Sequence, residues 1–237
     1  MKSAGGGDFL ALYAISDLHL GLNSDKPMDV FGKQWYKHDE KIKENWVSMI
    51  DDEDTVLIAG DISWSMRIEE GMEDIEWIHN LPGRKILIKG NHDYWWSSIT
   101  KLNKLYSDMN FIQNNCFAYE DYAICGTRGW ICPQSEKFTA HDAKIYEREQ
   151  IRLRLSLDEA VKKGYKKFIA MLHYPPVGDK FEESCFTQIV KEYGVLKVIY
   201  GHIHGPVFSK VLEGTINGTQ YILTSCDYID FKPVRIF

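Results

Sequence analysis

Five short apolar runs along this chain are each followed by polar residues that can bind a metal ion. The runs have the length and residue types of buried β-strands. They are LALYAI, TVLIAG, KILIKG, KKFIAML and LKVIYG, and they end just before Asp17, Asp61, Asn91, His173 and His202. Because ligands of α/β sheets collect at the carboxyl ends of strands, we expect these distant residues to meet in one cleft.

Other segments carry apolar residues at a helical period. Helices are predicted over residues 33–50, 67–80, 96–106, 141–163 and 182–193, the last two closed by Gly164 and Gly194. Residues 110–126 predict two short strands, and VFSKVL, TQYILTS and PVRIF near the end predict antiparallel strands. This order of elements favours an α/β fold with a two-sheet sandwich over a single doubly wound sheet.

The length of 237 residues fits one domain, which we place over residues 9–237. The Gly-rich start predicts a flexible leader over residues 1–8, which we leave out of the fold. A loop rich in Gly, Trp and Pro leads into the long predicted helix. We expect this loop–helix segment, about residues 127–163, to form one wall of the cleft, because functional residues often lie on loops held by a rigid scaffold.

Charge and cysteine content narrow the class of protein. The net charge is −6 and no dense basic tract is present, which argues against binding to nucleic acid or to an anionic membrane. The negative net charge does not exclude a phosphate substrate, because bound metal ions can reverse the charge of their surroundings. Five cysteines without a C-x-x-C pair are typical of a reduced, cytoplasmic protein. No apolar run approaches the ~20 residues that span a bilayer.

The Asp and His residues after the strands suit borderline divalent metals such as Mn, Fe, Zn, Co or Ni. A carboxylate has two oxygens and can bridge two ions, and Asp61 is the best candidate because it stands alone at the end of its strand. Two ions ~3.5–4 Å apart can clamp the attacking and leaving oxygens of a phosphoryl group.

The ordered set D-x-H, G-D, G-N-H-D, H and G-H-x-H resembles the calcineurin-like metallophosphoesterase superfamily, from about residue 12 to residue 204. The resemblance implies a β-sandwich flanked by helices, in four α/β/β/α layers, with two metal ions at its rim. It implies that one ion is held by Asp17, His19, Asp61 and His204. It implies that the other is held by Asp61, Asn91, His173 and His202, with His92 as the general acid for the leaving oxygen.

Four further residues have two interpretations each. Asp93 either orients His92 or a neighbouring group, or it caps the following helix, and the cap is slightly favoured because Asp is a good N-cap. Arg128, in GTRGW, binds a phosphate oxygen or is a surface or backbone-capping residue. Trp64 and Trp130 either line the substrate pocket or pack beneath the metal loops.

The predicted activity is hydrolysis of a phosphate monoester or diester by in-line attack of a hydroxide that bridges two metals. The expected substrate is a small phosphorylated molecule, with nucleotides among the candidates. A nuclease or a nucleotide pyrophosphatase of the same superfamily is the alternative among enzymes. A non-catalytic metal-binding scaffold is the alternative of another class, but such a protein would be expected to lose ligands. A structural metal site would usually be rich in cysteine.

Overall fold

Two mixed β-sheets form the centre of the fold in a computed structural model that describes residues 10–23 and 27–237. The predicted leader lies outside these described residues. The strands are β1 Leu12–Ile15, β2 Thr55–Ile58, β3 Arg84–Leu87, β4 Met109–Phe111, β5 Phe117–Tyr119, β6 Tyr122–Thr127, β7 Lys167–Leu172, β8 Lys197–Tyr200, β9 Gly214–Ile216, β10 Thr219–Leu223 and β11 Val234–Arg235. The first sheet has the order β11-β1-β2-β3-β4, and the second has the order β5-β6-β7-β8-β10-β9.

Helices cover the outer faces of both sheets. They are α1 His38–Met49, α2 Ile68–His79, α3 Ile99–Leu102, α4 Ala140–Lys162 and α5 Cys185–Tyr193. Short 3-10 helices occupy Met28–Phe31, Lys33–Trp35 and Gly205–Lys210. Within the described ranges, no helix combines the length and the apolar character needed to cross a membrane.

Three apolar layers hold the sheets and helices together. Leu57 and Ile86 from the first sheet pack with Ile169 and Met171 from the second, in the layer between the sheets. Trp46 of α1 belongs to the layer outside the first sheet, and a matching layer packs α4 and α5 on the second. Each fully buried large aliphatic side chain stabilises such a layer by about 1.5–3 kcal/mol. The predicted two-sheet sandwich flanked by helices is confirmed.

The register of the parallel strands sets where the site forms. Ile15 pairs with Ile58 across β1 and β2, and Ile58 pairs with Leu87 across β2 and β3. These three strands therefore end at the same edge, and the loops that follow them start side by side. In the second sheet, β7 and β8 run parallel as well, with Met171 opposite Ile199.

Several boundaries differ from the periodicity. Residues 33–50 are split, because Lys37 adopts a left-handed conformation (φ 52°) between the 3-10 turn and α1. The helix predicted over 96–106 is reduced to α3. Residues 110–126 contribute to three strands, β4, β5 and β6, rather than to two.

The tail also departs from its prediction. The first four residues of VFSKVL lie in the 3-10 helix Gly205–Lys210, with Pro206 at its start, and Val211 and Leu212 follow this helix without forming a strand. TQYILTS does supply β10, but β10 runs parallel to β8 and only its other neighbour, β9, is antiparallel. The sandwich is completed by β11, which pairs antiparallel with β1.

Candidate metal centre

The loops at the strand ends bring six metal-type side chains together in two groups. In each group, the candidate ligand atoms all lie within 4.8 Å of one another. One group is Asp17, His19 and His204, and the other is Asp61, His173 and His202.

The first group surrounds the buried carboxylate of Asp17. His204 Nε2 lies 3.3 Å and His19 Nε2 lies 4.0 Å from Asp17 Oδ1. Ser16 Oγ donates to Asp17 Oδ2 at 2.6 Å, and the backbone N–H of His202 donates to the same oxygen at 3.0 Å. Burial raises the pKa of Asp17, but the hydrogen bond and charge of His204 lower it by more than burial raises it. The carboxyl pKa is therefore well below its usual range.

The second group surrounds His173, which is fully buried. Its Nδ1 lies 3.0 Å from the carbonyl oxygen of Ala59, so Nδ1–H donates to that oxygen and Nε2 faces the centre. Nε2 lies 2.8 Å from Asn91 Oδ1, 3.3 Å from His202 Nδ1 and 3.4 Å from Asp61 Oδ2. The amide oxygen of Asn91 thus lies directly beside this group.

Asp61 lies between the two groups. Its Oδ2 is 3.8 Å from His19 Nε2 on one side and 3.4 Å from His173 Nε2 on the other. Its Oδ1 accepts the backbone N–H of His92 at 2.8 Å. The His92 imidazole lies at the edge of the centre, with Nε2 4.0 Å from Asp61 Oδ2. Asp61 therefore has the position that a ligand shared by two ions would need.

Four of these residues have a backbone conformation that is unfavourable for a residue with a side chain. Asp17, His19, Asp61 and His202 have φ angles of 59°, 45°, 51° and 72°. Such conformations cost about 1–3 kcal/mol each and persist only where the surrounding fold enforces them. They turn the side chains inward directly after each strand.

Glycines make the close approach of these loops possible. A Cβ at Gly90 would overlap the carboxylate of Asp61, and a Cβ at Gly201 would overlap the carboxylate of Asp17. A Cβ at Gly60 would come within 2.8 Å of His173 Nδ1. The glycines of the G-D, G-N-H-D and G-H-x-H motifs are therefore required because the backbone contacts the candidate ligand side chains there.

The imidazoles have opposite electrostatic environments. Burial lowers the pKa of His173 and His204, but neighbouring Asp61 and Asp17 more than offset it and raise these values to about 9 and about 10. Burial dominates at His19 and His202, whose pKa values fall to about 4 and about 3. Protons on the first pair thus compensate the buried carboxylates when no cation is bound.

The donors fit two divalent ions. Carboxylate oxygens, imidazole nitrogens and one amide oxygen are the ligands that borderline transition metals bind. His19 Nε2 faces Asp17 Oδ1 at 4.0 Å and Asp61 Oδ2 at 3.8 Å, which is too far for a hydrogen bond, so this nitrogen is available to bind an ion between the carboxylates. Asp17 and Asp61 are buried carboxylates with imidazole nitrogens at 3.3–4.0 Å. Because buried charges are normally paired or bind metals, this arrangement favours a cation between these groups.

Asp93 joins two of the loops rather than capping a helix. The interpretation as an N-cap is wrong, because Ser98 occupies that position before α3. Asp93 Oδ1 accepts the backbone N–H of Ile62 at 2.8 Å and Trp95 Nε1–H at 3.0 Å, while Oδ2 accepts the N–H of Gly90 at 2.7 Å. Burial, followed by the nearby Asp61 charge, raises its pKa to about 6.

The side chains of Arg128 and Trp130, which were candidates for binding the substrate, contact other side chains and not the two metal-type groups. Arg128 Nη2 is 3.6 Å from Glu149 Oε1, and its guanidinium lies 4.3 Å from the centre of the Trp130 ring. The Trp130 ring packs 4.9 Å from Tyr174, and Tyr174 packs 4.0 Å from His202. The carbonyl oxygen of Arg128 accepts the backbone N–H groups of His173 and Tyr174, each at 3.0 Å. The segment therefore supports the His173 loop through its backbone.

A cleft of about 410 Å³ opens beside the first group. Its walls include His19, Asp61, His92, His202, His204 and Asp227 together with Met28, Phe31, Trp35, Trp64 and Pro206. Among the described residues, the lining includes neither Arg128, nor Trp130, nor any other residue of the segment 127–163 that was expected to form one wall. The 3-10 segments around Met28 and Trp35 take that place. The weak periodicity of those segments carried no signal for this role.

Asp227 is a site residue that the motifs did not indicate. Its Oδ1 lies 2.8 Å from His204 Nδ1, and its Oδ2 accepts the N–H of Gly205 at 3.2 Å. A carboxylate on the far ring nitrogen of a metal-binding His fixes the tautomer and orientation of that ring. Asp227 follows the TQYILTS run, so its position after a strand was the available signal.

Comparison with known proteins identifies the family. The family model described as calcineurin-like phosphoesterase matches residues 10–206. The chain belongs to the calcineurin-like phosphoesterase family. It is also similar to the Gene 66 protein of Mycobacterium phage D29, with 28% identity over 222 residues, which are 92% of this chain and 89% of the phage protein.

Two solved structures of distant sequence share the fold. TT1561 of Thermus thermophilus matches with a TM-score of 0.57 and 11% identity, over 96% of this chain and 98% of that one. Phosphopantetheinyl hydrolase (PptH) from Mycobacterium tuberculosis matches with a TM-score of 0.55 and 13% identity, over 93% and 90% of the two chains. Family membership and the two ligand groups together support a metal-dependent phosphoesterase.

Proposed function

We propose that this calcineurin-like phosphoesterase hydrolyses a small phosphate monoester or diester with two divalent ions. The observation that carries the proposal is the position of Asp61 Oδ2, 3.8 Å from His19 Nε2 and 3.4 Å from His173 Nε2. One carboxylate oxygen there can serve both groups at once. When bound, two ions supply a water of lowered pKa and positive charge for the phosphoryl oxygens.

The residues of the chain divide into holding and proton-transfer roles. Asp17, His19, Asp61 and His204 would hold one ion, and Asp61, Asn91, His173 and His202 would hold the other. Asp227 would keep the His204 ring oriented through its 2.8 Å contact with Nδ1. Asp93 would keep the loops after β2 and β3 in place through its hydrogen bonds to Ile62 and Gly90.

His92 is the proposed general acid. Its backbone N–H is tied to Asp61, while its ring lines the cleft and is partly exposed. Burial lowers the pKa of His92 in the free protein. A bound phosphate ester brings negative charge next to this ring, which favours the protonated form that donates to the leaving oxygen.

The cleft walls support an ester whose alcohol has an apolar or aromatic face. Met28, Phe31 and Pro206 line it beside the ligands, and Trp64 stacks 4.7 Å from His19 and packs 4.5 Å from His92. Aromatic rings of this kind can stack on a base or another planar group. Nucleotide-like esters are therefore the first substrates to test.

The experiment compares para-nitrophenyl phosphate with its bis ester after reconstitution with Mn, Fe, Zn, Co or Ni, followed by a panel of nucleotides. We expect hydrolysis that a chelator abolishes and that two ions per chain restore. Full activity with at most one ion per chain would refute the use of two ions. No turnover of any phosphate ester, with two ions bound, would favour a non-catalytic scaffold.

A further inference from the structure

A smaller cavity, of about 180 Å³, lies among residues that do not line the cleft. Four cationic side chains line it, from Lys89, Arg128, Arg148 and Arg152. The lining also contains one carboxylate, Glu149, and neutral polar residues that include Gln113, Asn114 and Thr127. Four positive side chains facing one negative side chain leave an excess of positive charge in this cavity.

Glu149 cannot neutralise all of these groups. It is fully buried, and its Oε1 lies 2.8 Å from Arg152 Nη1 and 3.6 Å from both Arg128 Nη2 and Arg148 Nε. Its Oε2 is already taken by the hydroxyl of Thr127, which donates at 2.5 Å. One carboxylate oxygen is thus shared by three guanidinium groups, and two of those contacts are longer than a hydrogen bond.

Arg128 retains an unused donor. Its Nε is buried and has no hydrogen-bond partner among the described residues. Buried N–H groups are normally paired, because leaving one unpaired is unfavourable. Among the described residues that line the cavity, the hydrogen-bonding capacity of the guanidiniums exceeds what Glu149 can accept.

We propose that this cavity binds a phosphate-type oxyanion at a site separate from the metal centre. Guanidinium groups bind phosphate oxygens with paired N–H donors, and Lys89 adds a point charge. The volume is below the ~300 Å³ at which pockets for drug-sized ligands begin, so a single phosphate group fits and a nucleoside does not. The proposal does not depend on the phosphoesterase activity.

The position of the cavity gives such an anion an effect on the centre. Lys89 directly precedes Gly90 and Asn91 in the loop after β3. The backbone of Arg128 accepts N–H groups of His173 and Tyr174. A bound anion would therefore draw together two segments that carry ligands of the second group.

The test is a calorimetric titration of chelator-treated protein with inorganic phosphate, since the chelator removes any contribution from bound metals. We expect one phosphate per chain. Arg148→Gln and Lys89→Gln should each weaken binding by about tenfold or more, because each removes a charged partner of the anion. Arg148 is half exposed, so its replacement should leave the fold intact, as thermal unfolding will show.

Arg154→Gln is the matched control. Arg154 lies on the same helix but pairs with Glu192 at 2.7 Å, away from the cavity. This variant should bind phosphate like the unmodified protein. Absence of saturable binding, or equal binding by Arg148→Gln and Arg154→Gln, would overturn the proposal.

Kinetics on the metal-loaded protein then identify the source of the anion. If the site takes a remote phosphate of the substrate, Arg148→Gln should raise the KM for ADP and leave the KM for AMP unchanged. If it takes free phosphate, the KM values for both nucleotides should be unchanged while the binding defect persists. Failure of all hydrolysis would count against the proposed function only, because the titration does not need turnover.

Discussion

The imidazole of His204 is held between two carboxylates, with Nδ1 2.8 Å from Asp227 Oδ1 and Nε2 3.3 Å from Asp17 Oδ1. Asp227 therefore determines which nitrogen faces the centre, although it lies outside every motif.

Asp227→Asn should lower the affinity for one divalent ion by about 10- to 100-fold, the usual effect of losing the carboxylate behind a metal-binding His. The protein should still fold, and the second ion should bind as before. Metal titration with elemental analysis measures this. Asp230→Asn is the control, because Asp230 is exposed and pairs only loosely with Lys232 at 3.5 Å. Equal affinities of the two variants for the divalent ion would show that Asp227 does not contribute to the metal site.

Asp61→Asn should reduce the occupancy of both ions, because its Oδ2 faces His19 on one side and His173 on the other. His19→Ala should reduce mainly one. Elemental analysis of the two variants after identical reconstitution provides the comparison. If Asp61→Asn lost one ion and kept the other at full occupancy, the shared-ligand role would be wrong.

His92→Ala should keep both ions and fold normally, because the ring of His92 is partly exposed at the edge of the centre. Turnover of an alkyl phosphate should fall by about 10²–10⁴-fold, the usual contribution of a general acid. Turnover of para-nitrophenyl phosphate should fall much less, since its leaving group needs little protonation. Equal losses on both substrates, with metals intact, would exclude the acid role.

The metal-free protein should become less stable as pH rises from about 6.5 to about 10. Burial lowers the pKa of His204, but its hydrogen bonds and charge interactions with Asp17 and Asp227 raise it overall to about 10 in the folded protein. A raised pKa contributes stability that is complete below the unfolded value of about 6.5 and is lost as pH passes the folded value. Thermal unfolding in chelator across this range measures the effect. His204→Gln should reduce the pH dependence, and the remainder comes from His173, whose pKa is raised to about 9. A variant with the same pH dependence as the unmodified protein would contradict this assignment.

Phe31→Ala should raise the KM for an aromatic or nucleotide ester about 2- to 10-fold, in line with about 0.5–1.5 kcal/mol for an aromatic pair. Metal content and melting temperature should hardly change, because Phe31 is mostly exposed at the cleft. Val30→Ala is the neighbouring control, since Val30 is exposed and does not line the cleft. A KM that rises equally in both variants would mean that the segment acts through its backbone and not through the Phe31 ring.

The sequence by itself determined the strands and the metal-type residues that follow them. An apolar run such as TVLIAG forms a strand that is buried on both faces. Asp61 is the next residue in the chain, so its place at the end of this strand follows from the local sequence alone. The same local logic held for α2, α4 and α5, whose ends agree with the periodicity to within a few residues. Gly194 closes α5 in a left-handed conformation, as a glycine at that position predicts.

Only the tertiary structure decided which elements meet. Arg128 points to Glu149 on α4 rather than into the cleft, and the choice depends on how α4 packs on the second sheet. Asp227 reaches His204 because β10 runs parallel to β8, which brings the two strand ends together. The local sequence shows the hydrophobic period of a segment and the polar residues at its ends. These contacts depend instead on strand order and register, which arise from packing between segments that are distant in the chain.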